Sequence, residues 1–154
     1  MTRYFSALLL LAISIFSTNI SAQAQQRPDM YVVVFRADWC GPCKIVEPNL
    51  QAAMTTLRDP GLEVIVFDIT TPASSERSAY QALDRNIVDH YNQWYGTTGF
   101  VALVDADTKR TLGCVNMMYS AQDMATHISN LKTYAIANQI SPDTTCPAPN
   151  GAIG

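Results

Sequence analysis

Apolar residues run without interruption from Tyr31 to Phe35, recur at helical spacing from Val46 to Leu57, and resume from Leu62. An unbroken apolar run is what a strand buried on both faces requires, so Tyr31 to Phe35 is expected to be the central strand. Val46, Leu50, Ala53, Met54 and Leu57 share one face of a helix from Pro42 to about Arg58, which Asp59-Pro60-Gly61 ends. Leu62 to Thr70 is the next strand, parallel to the first and reached by a right-handed crossover. Ser74 or Ser75 is placed to cap a second helix, whose Tyr80, Leu83, Ile87, Tyr91 and Trp94 recur at helical spacing and read as core rather than as a ligand box. Phe100 to Asp105 and Arg110 to Met118 read as antiparallel strands joined by Ala106-Asp107-Thr108-Lys109. Ser120 with Asp123 resembles a capping box for a final helix with Met124, Ile128 and Leu131 inward. No internal repeat is present.

The N-terminus has a different pattern. Arg3, the apolar stretch from Ala7 to Phe16 and the small-residue site Ala22-Gln23-Ala24 read as a signal peptide over residues 1–24, cleaved after Ala24. The apolar stretch turns polar at Ser17, well short of the roughly 20 residues that span a bilayer. No cysteine lies in or just after it to carry a lipid. The expected organisation is therefore a signal peptide (1–24), one domain (25–140) and a flexible C-terminal tail (141–154), loose unless Cys146 is tied down. The formal charge of −3 becomes one unit more negative once Arg3 is removed, which argues against nucleic acid as a partner. Four cysteines in an exported chain are compatible with disulfides, and the expected location is the periplasm.

Candidate chemistry sits at Trp39-Cys40-Gly41-Pro42-Cys43-Lys44, where the first strand feeds the first helix. A cysteine at a helix start meets unpaired backbone N–H groups and the positive end of the helix dipole, both of which stabilise a thiolate. The second cysteine lies one turn on, within bonding reach. Cys40 is the expected nucleophile and Cys43 the resolving thiol. Pro42 suits the first helical turn, where its missing N–H has no helical partner, and Gly41 leaves the approach to Cys40 open. The alternative is half of a zinc site. Zinc sites usually take two close pairs, and Cys114, Cys146, His90 and His127 supply no second one.

Through Val-Val-Phe-Arg-Ala-Asp-Trp-Cys-Gly-Pro-Cys-Lys, residues 33–44, and then Pro48, the sequence resembles the thioredoxin family, with weaker similarity over roughly residues 30–135. The resemblance implies an α/β, thioredoxin-like fold in its minimal version, a four-stranded mixed sheet flanked by helices, because no room remains for the family's first strand and helix. It implies a protein-disulfide oxidoreductase acting on protein thiols and disulfides as a monomer, with the Cys40–Cys43 pair as its redox centre, no cofactor or metal, and a membrane redox protein as a further candidate partner. The segment carrying the second helix is longer than its family counterpart, and is placed to cover the site or a partner surface.

Two departures from the family pattern bear on that chemistry. The family's buried aspartate and its lysine neighbour fall at Val34 and Val66, so a water or Glu47 would have to take over the proton of the resolving cysteine. The family's cis-proline falls at Gly99, or at Val101 in the other alignment of Tyr95 to Ala102. A non-proline cis bond costs about 2.5–4 kcal/mol, so a trans peptide and a reshaped groove are expected. Loss of the shielding ring keeps a metal or iron-sulfur reading open, and weakened exchange keeps open an adaptor or binding module in an envelope complex. Cys114 and Cys146 read either as a structural disulfide or as a second redox pair; His90 and His127 as surface or boundary residues; Asp38 and Lys44 as charges tuning the dithiol or simply solvated.

Overall fold

The computed structural model describes residues 27–143 and 145–149. The signal peptide expected over 1–24 lies outside the described residues. Four strands, β1 (Met30–Arg36), β2 (Leu62–Asp68), β3 (Phe100–Asp105) and β4 (Thr111–Asn116), form one sheet in the order β2-β1-β3-β4. β1 runs parallel to β2 and antiparallel to β3, with Val34 beside Val66 on one side and Val101 on the other. The helices are α1 (Cys43–Leu57), α2 (Pro72–Asp84), α3 (Val88–Gln93) and α4 (Ala121–Ile136). Among the described residues this is the four-stranded mixed sheet flanked by helices that the resemblance implies.

Alternation along β1 explains its apolar run. Met30, Val32 and Val34 pack with Val46, Leu50, Met124 and Ile128 on the face covered by α1 and α4. Tyr31, Val33 and Phe35 pack on the other face with Ile65, Phe67, Ile87, Tyr91 and Trp94. Both faces being covered, each residue of the run is buried, and full burial of such side chains is worth roughly 1.5–3 kcal/mol apiece.

The second helix departs from expectation. Thr71, not Ser74 or Ser75, is its N-cap: the Thr71 hydroxyl accepts the Ser74 N–H at 3.1 Å, while Ser74 Oγ accepts the Thr71 N–H at 2.9 Å, with Pro72 in the first turn. The helix breaks after Asp84, where Asn86 takes a left-handed φ of 54°, and restarts as α3. The break shifts the helical register. Tyr80 and Leu83 therefore point outward, 60% and 63% exposed, while Ile87, Tyr91 and Trp94 are buried. The inward face of α2 is instead Ser74, Ser78 and Ala82, small enough for close approach to β2. Ser78 Oγ accepts the Asp68 N–H at 2.8 Å and so completes the end of that strand. His90, expected at the boundary, is buried beside Trp94, and burial first, then Lys109, hold its pKa below the ordinary histidine value.

The condition attached to the tail is met, because Cys146 is joined to Cys114 of β4. The Thr145 hydroxyl donates to the Cys114 carbonyl at 2.7 Å, which occupies part of the β4 edge. The Trp94 indole N–H donates to the Pro147 carbonyl at 3.0 Å. Asp143 lies over Gly113 and 2.8 Å from His127 Nε2. Burial alone would raise the Asp143 pKa, but the Thr145 N–H, His127 and the Thr145 hydroxyl outweigh it and hold it below the usual carboxylate range.

Two outcomes are expected. Replacing Cys114 and Cys146 together with serine should lower unfolding stability by roughly 3–4 kcal/mol on the loop-entropy account, read by denaturant titration. Because the folded pKa of Asp143 is depressed, its contribution is present above the ordinary aspartate pKa of about 4 and fades as pH falls through the folded value. Asp143→Asn should thus lower the thermal midpoint at neutral pH and leave it close to that of the parent protein at pH about 2.

Candidate active site

β1 delivers the chain to the site through its buried end. After Arg36 and the buried Ala37 the backbone turns, the Cys40 N–H donating to the Ala37 carbonyl at 3.1 Å, and α1 begins at Cys43 with Pro42 as its cap. Cys40 and Cys43 are joined as a disulfide, each only 3% exposed, with Ile69 against them. The Cys43 N–H points at Cys40 Sγ, 3.1 Å away. That amide belongs to the first helical turn, where N–H groups lack helical acceptors, so it favours negative charge on the Cys40 sulfur when the pair is reduced. Cys43 Sγ faces inward, 3.9 Å from the Phe35 carbonyl. Gly41, Pro42, Lys44 and Trp39 form the exposed surround.

Gly99, not Val101, faces the disulfide. Val101 is buried within β3 opposite Val34. Gly99 has φ 85°, and its N–H donates to the Phe35 carbonyl at 2.9 Å. A Cβ there would stand 2.7 Å from Pro42 Cβ and 3.4 Å from Cys40 Sγ. Proline is excluded from this conformation twice, by its φ near −65° and by its missing donor. Among the described residues no peptide bond is cis. The trans peptide expected from the sequence is present, and a side chain at position 99 would stand against Pro42 and Cys40 Sγ.

Val34 and Val66 are cross-strand neighbours, and both being apolar, this pair supplies no charge. Charge enters instead from Arg36, which sequence reasoning did not single out, although a lone base closing an apolar central strand is a visible signal. Its guanidinium reaches Asp38 at 2.7 Å, Glu47 at 3.0 Å and Asp68 at 2.5 Å. Hydrogen bonds to Asp38 and Glu47, outweighing burial, raise the Arg36 pKa further above its already high value. Burial would raise Asp68, but hydrogen bonds from Thr70 and the charge of Arg36 hold it below the usual range. A cavity of about 240 Å³ is lined by Arg36, Asp38, Cys40, Cys43, Lys44 and Glu47, with Ala37 and Pro48.

Cys114 and Cys146 belong to the aromatic cluster on the α2–α3 face and are not brought to the Cys40–Cys43 pair, which sits in its own small cluster. His127 pairs with Asp143, and His90 lies against Trp94, so neither histidine joins the site. Met117 and Met118 are exposed just past Asn116, which pairs with Phe100 next to Gly99; with exposed Trp39 they put apolar surface at the disulfide end of the sheet.

Residues 12–83, just under half of the chain, match the family model for thioredoxin. Among solved structures the chain is similar to a thioredoxin of Malassezia sympodialis, at 15% identity over 71% of this chain and 83% of that one, with a TM-score of 0.44. It is also similar to tryparedoxin II of C. fasciculata, at 16% identity over 83% and 81% and a TM-score of 0.43. The first thioredoxin domain of mouse protein disulfide-isomerase A4 is 19% identical over 82% and 73%, with a TM-score of 0.38. No curated protein matches the chain. The family match and the Cys40–Cys43 pair together suggest thiol-disulfide redox activity.

Gly96 has nearly the same positive φ as Gly99 but nothing within 4 Å of a built Cβ, which separates strain from crowding. Gly96→Ala should cost about 1–2 kcal/mol from backbone strain alone. Gly99→Ala adds crowding against Pro42 and should cost roughly 1–3 kcal/mol more. Parallel denaturant titrations check this, and equal losses would mean that the loop has room to withdraw from the disulfide.

Proposed function

We propose that the chain, whose residues 12–83 match the thioredoxin family model, is an exported thiol-disulfide oxidoreductase acting on protein substrates, with Cys40 attacking and Cys43 resolving. The observation that carries this reading is the Cys43 N–H aimed at Cys40 Sγ from the first turn of α1. In the reducing direction the Cys40 thiolate attacks one sulfur of a substrate disulfide. A Cys40–substrate bond forms, and the other substrate sulfur leaves as a thiolate. Cys43 then attacks Cys40 Sγ, the mixed disulfide breaks, and the second substrate thiol is released as the Cys40–Cys43 bond closes. Two electrons pass from the protein dithiol to the substrate, and no cofactor is required. Oxidation of substrate thiols is the same sequence reversed.

Protein substrates fit the apolar surface that Trp39, Met117 and Met118 place at this end of the sheet. Export is supported by the sequence of residues 1–24, with the periplasm as destination and a membrane protein as a candidate redox partner. The domain is proposed to act as a monomer, with no role for nucleic acid.

Insulin reduction by dithiothreitol is the direct assay. Cys40→Ser should abolish the catalysed rate, and Cys43→Ala should accumulate a covalent mixed disulfide that dithiothreitol releases. Loss of neither activity in the two variants would overturn the enzyme reading, and partners retained after both substitutions would favour an adaptor. The direction of flow follows from the potential of the pair, to be set against about −270 mV for a thioredoxin and about −120 mV for a strong periplasmic oxidant. Cell fractionation with N-terminal sequencing of the product should place the protein in the periplasm, beginning at Gln25.

A further inference from the structure

Resting on the exchange chemistry above, we propose that Glu47 is the proton acceptor for Cys43 in the step that frees the substrate from Cys40. That step needs Cys43 as a thiolate. Its sulfur is nearly fully buried among Ala37, Cys40 and Ile69, surroundings that disfavour the charged form. The cross-strand pair Val34 and Val66, where the resembled family carries its aspartate and lysine, offers neither a base nor a counter-charge. A route for the proton is offered by the cavity of about 240 Å³ that Cys43 and Glu47 line together, with Arg36, Asp38 and Lys44 at its walls. A cavity of that size with charged groups in its wall has room and partners for water.

From β1 and its exit come the charged groups Arg36 and Asp38, from α1 come Lys44 and Glu47, and none comes from α4. Arg36 and Lys44 are cations without acceptor capacity at neutral pH. Asp38 has a side chain 71% exposed and bound to Arg36 at 2.7 Å, so its proton traffic is with bulk solvent. Asp68 from β2 touches Arg36 but does not line the cavity. Neither histidine lines it.

Glu47 differs from these in placement. It follows Cys43 by four residues on α1, so the two side chains share one helix face. Arg36 Nε holds Oε1 at 3.0 Å, and among the described residues Oε2 has no partner. Its side chain is 39% exposed and also lines the apolar groove beside Val34, Val64 and Val66, which opens outward. A carboxylate with one oxygen held by Arg36 and a side chain that is part exposed is suited to pass a proton from an enclosed sulfur to solvent. In the step itself, Oε2 takes the Cys43 proton through one water and the Cys43 thiolate attacks Cys40 Sγ. The new S–S bond forms as the bond to substrate breaks, and the departing substrate thiolate takes a proton from solvent. Glu47 then returns its proton through the groove. Arg36, which fixes Oε1, is a positioning residue.

The test uses the full mature chain, reduced with limiting dithiothreitol at Cys40 and Cys43 only, and mixed rapidly with bis(nitrobenzoate) disulfide. Attack by Cys40 releases one coloured thiolate and resolution by Cys43 releases the second, so the two steps are read separately. Glu47→Gln should leave the first phase unchanged, which also reports an intact fold, and should slow the second about tenfold near pH about 7. The gap should narrow as pH rises, because the buried Cys43 thiol then ionises increasingly without help from a neighbouring base. Glu47→Asp should recover part of the rate. A second phase unchanged by Glu47→Gln across pH overturns the proposal while leaving the exchange reading intact. So does Asp68→Asn, which loosens Arg36 without touching the cavity, if it slows the second phase as much as Glu47→Gln at every pH. Absence of any first phase in the unsubstituted protein overturns the exchange reading and this proposal with it.

Discussion

The carbonyl of Phe35 is the point on which the site depends. It accepts the Gly99 N–H at 2.9 Å and lies 3.9 Å from Cys43 Sγ, so one backbone oxygen fixes the loop over the disulfide and sits next to the inner sulfur. That oxygen is held still by its own side chain. The Phe35 ring stacks on Phe100 at 4.7 Å and meets Phe67 and Trp94 edge-on at 5.2 and 5.6 Å. Aromatic pairs of this kind contribute roughly 0.5–1.5 kcal/mol each beyond their buried area. Rigidity at the redox centre is therefore borrowed from the core of the opposite layer.

Removing one charged residue from the centre of such a fold has consequences that spread outward. A buried carboxylate without its partner would leave an uncompensated charge at a cost of several kcal/mol, so paired valines at positions 34 and 66 are mutually consistent. The charge reappears at the rim, on Arg36, where three carboxylates and partial exposure make it tolerable. In the loop, a glycine with positive φ stands where a Cβ would press on Pro42 and Cys40 Sγ, so the position tolerates no side chain without a shift.

The second disulfide serves another purpose. A four-stranded sheet has two open edges, and β4 is one of them. Thr145 and Asp143 lie along it, held by the Cys114–Cys146 bond, and an occupied edge is less available for pairing with another chain. The Trp94 indole reaches the same segment through Pro147, so the tail also rests on the aromatic core that supports the site.

Much of this was legible in the residues. The run from Tyr31 to Phe35 required a strand covered on both sides, Asp59-Pro60-Gly61 ended the first helix, and Cys40 and Cys43 at the strand-to-helix junction fixed where redox chemistry would sit, because these features act over a few neighbouring residues. The second helix was misread because Ser74, Ser78 and Ala82, its inward face, carry no hydrophobic signal, and because the turn at Asn86 resets the helical register without a glycine or proline to announce it. The choice between Gly99 and Val101, the pairing of Cys114 with Cys146, and the gathering of Glu47, Asp38 and Asp68 around Arg36 were decided by the tertiary structure alone. Each is a distance between residues far apart in the chain or across an element, and local pattern has no term for it; only packing the four strands and their helices brings those atoms within reach.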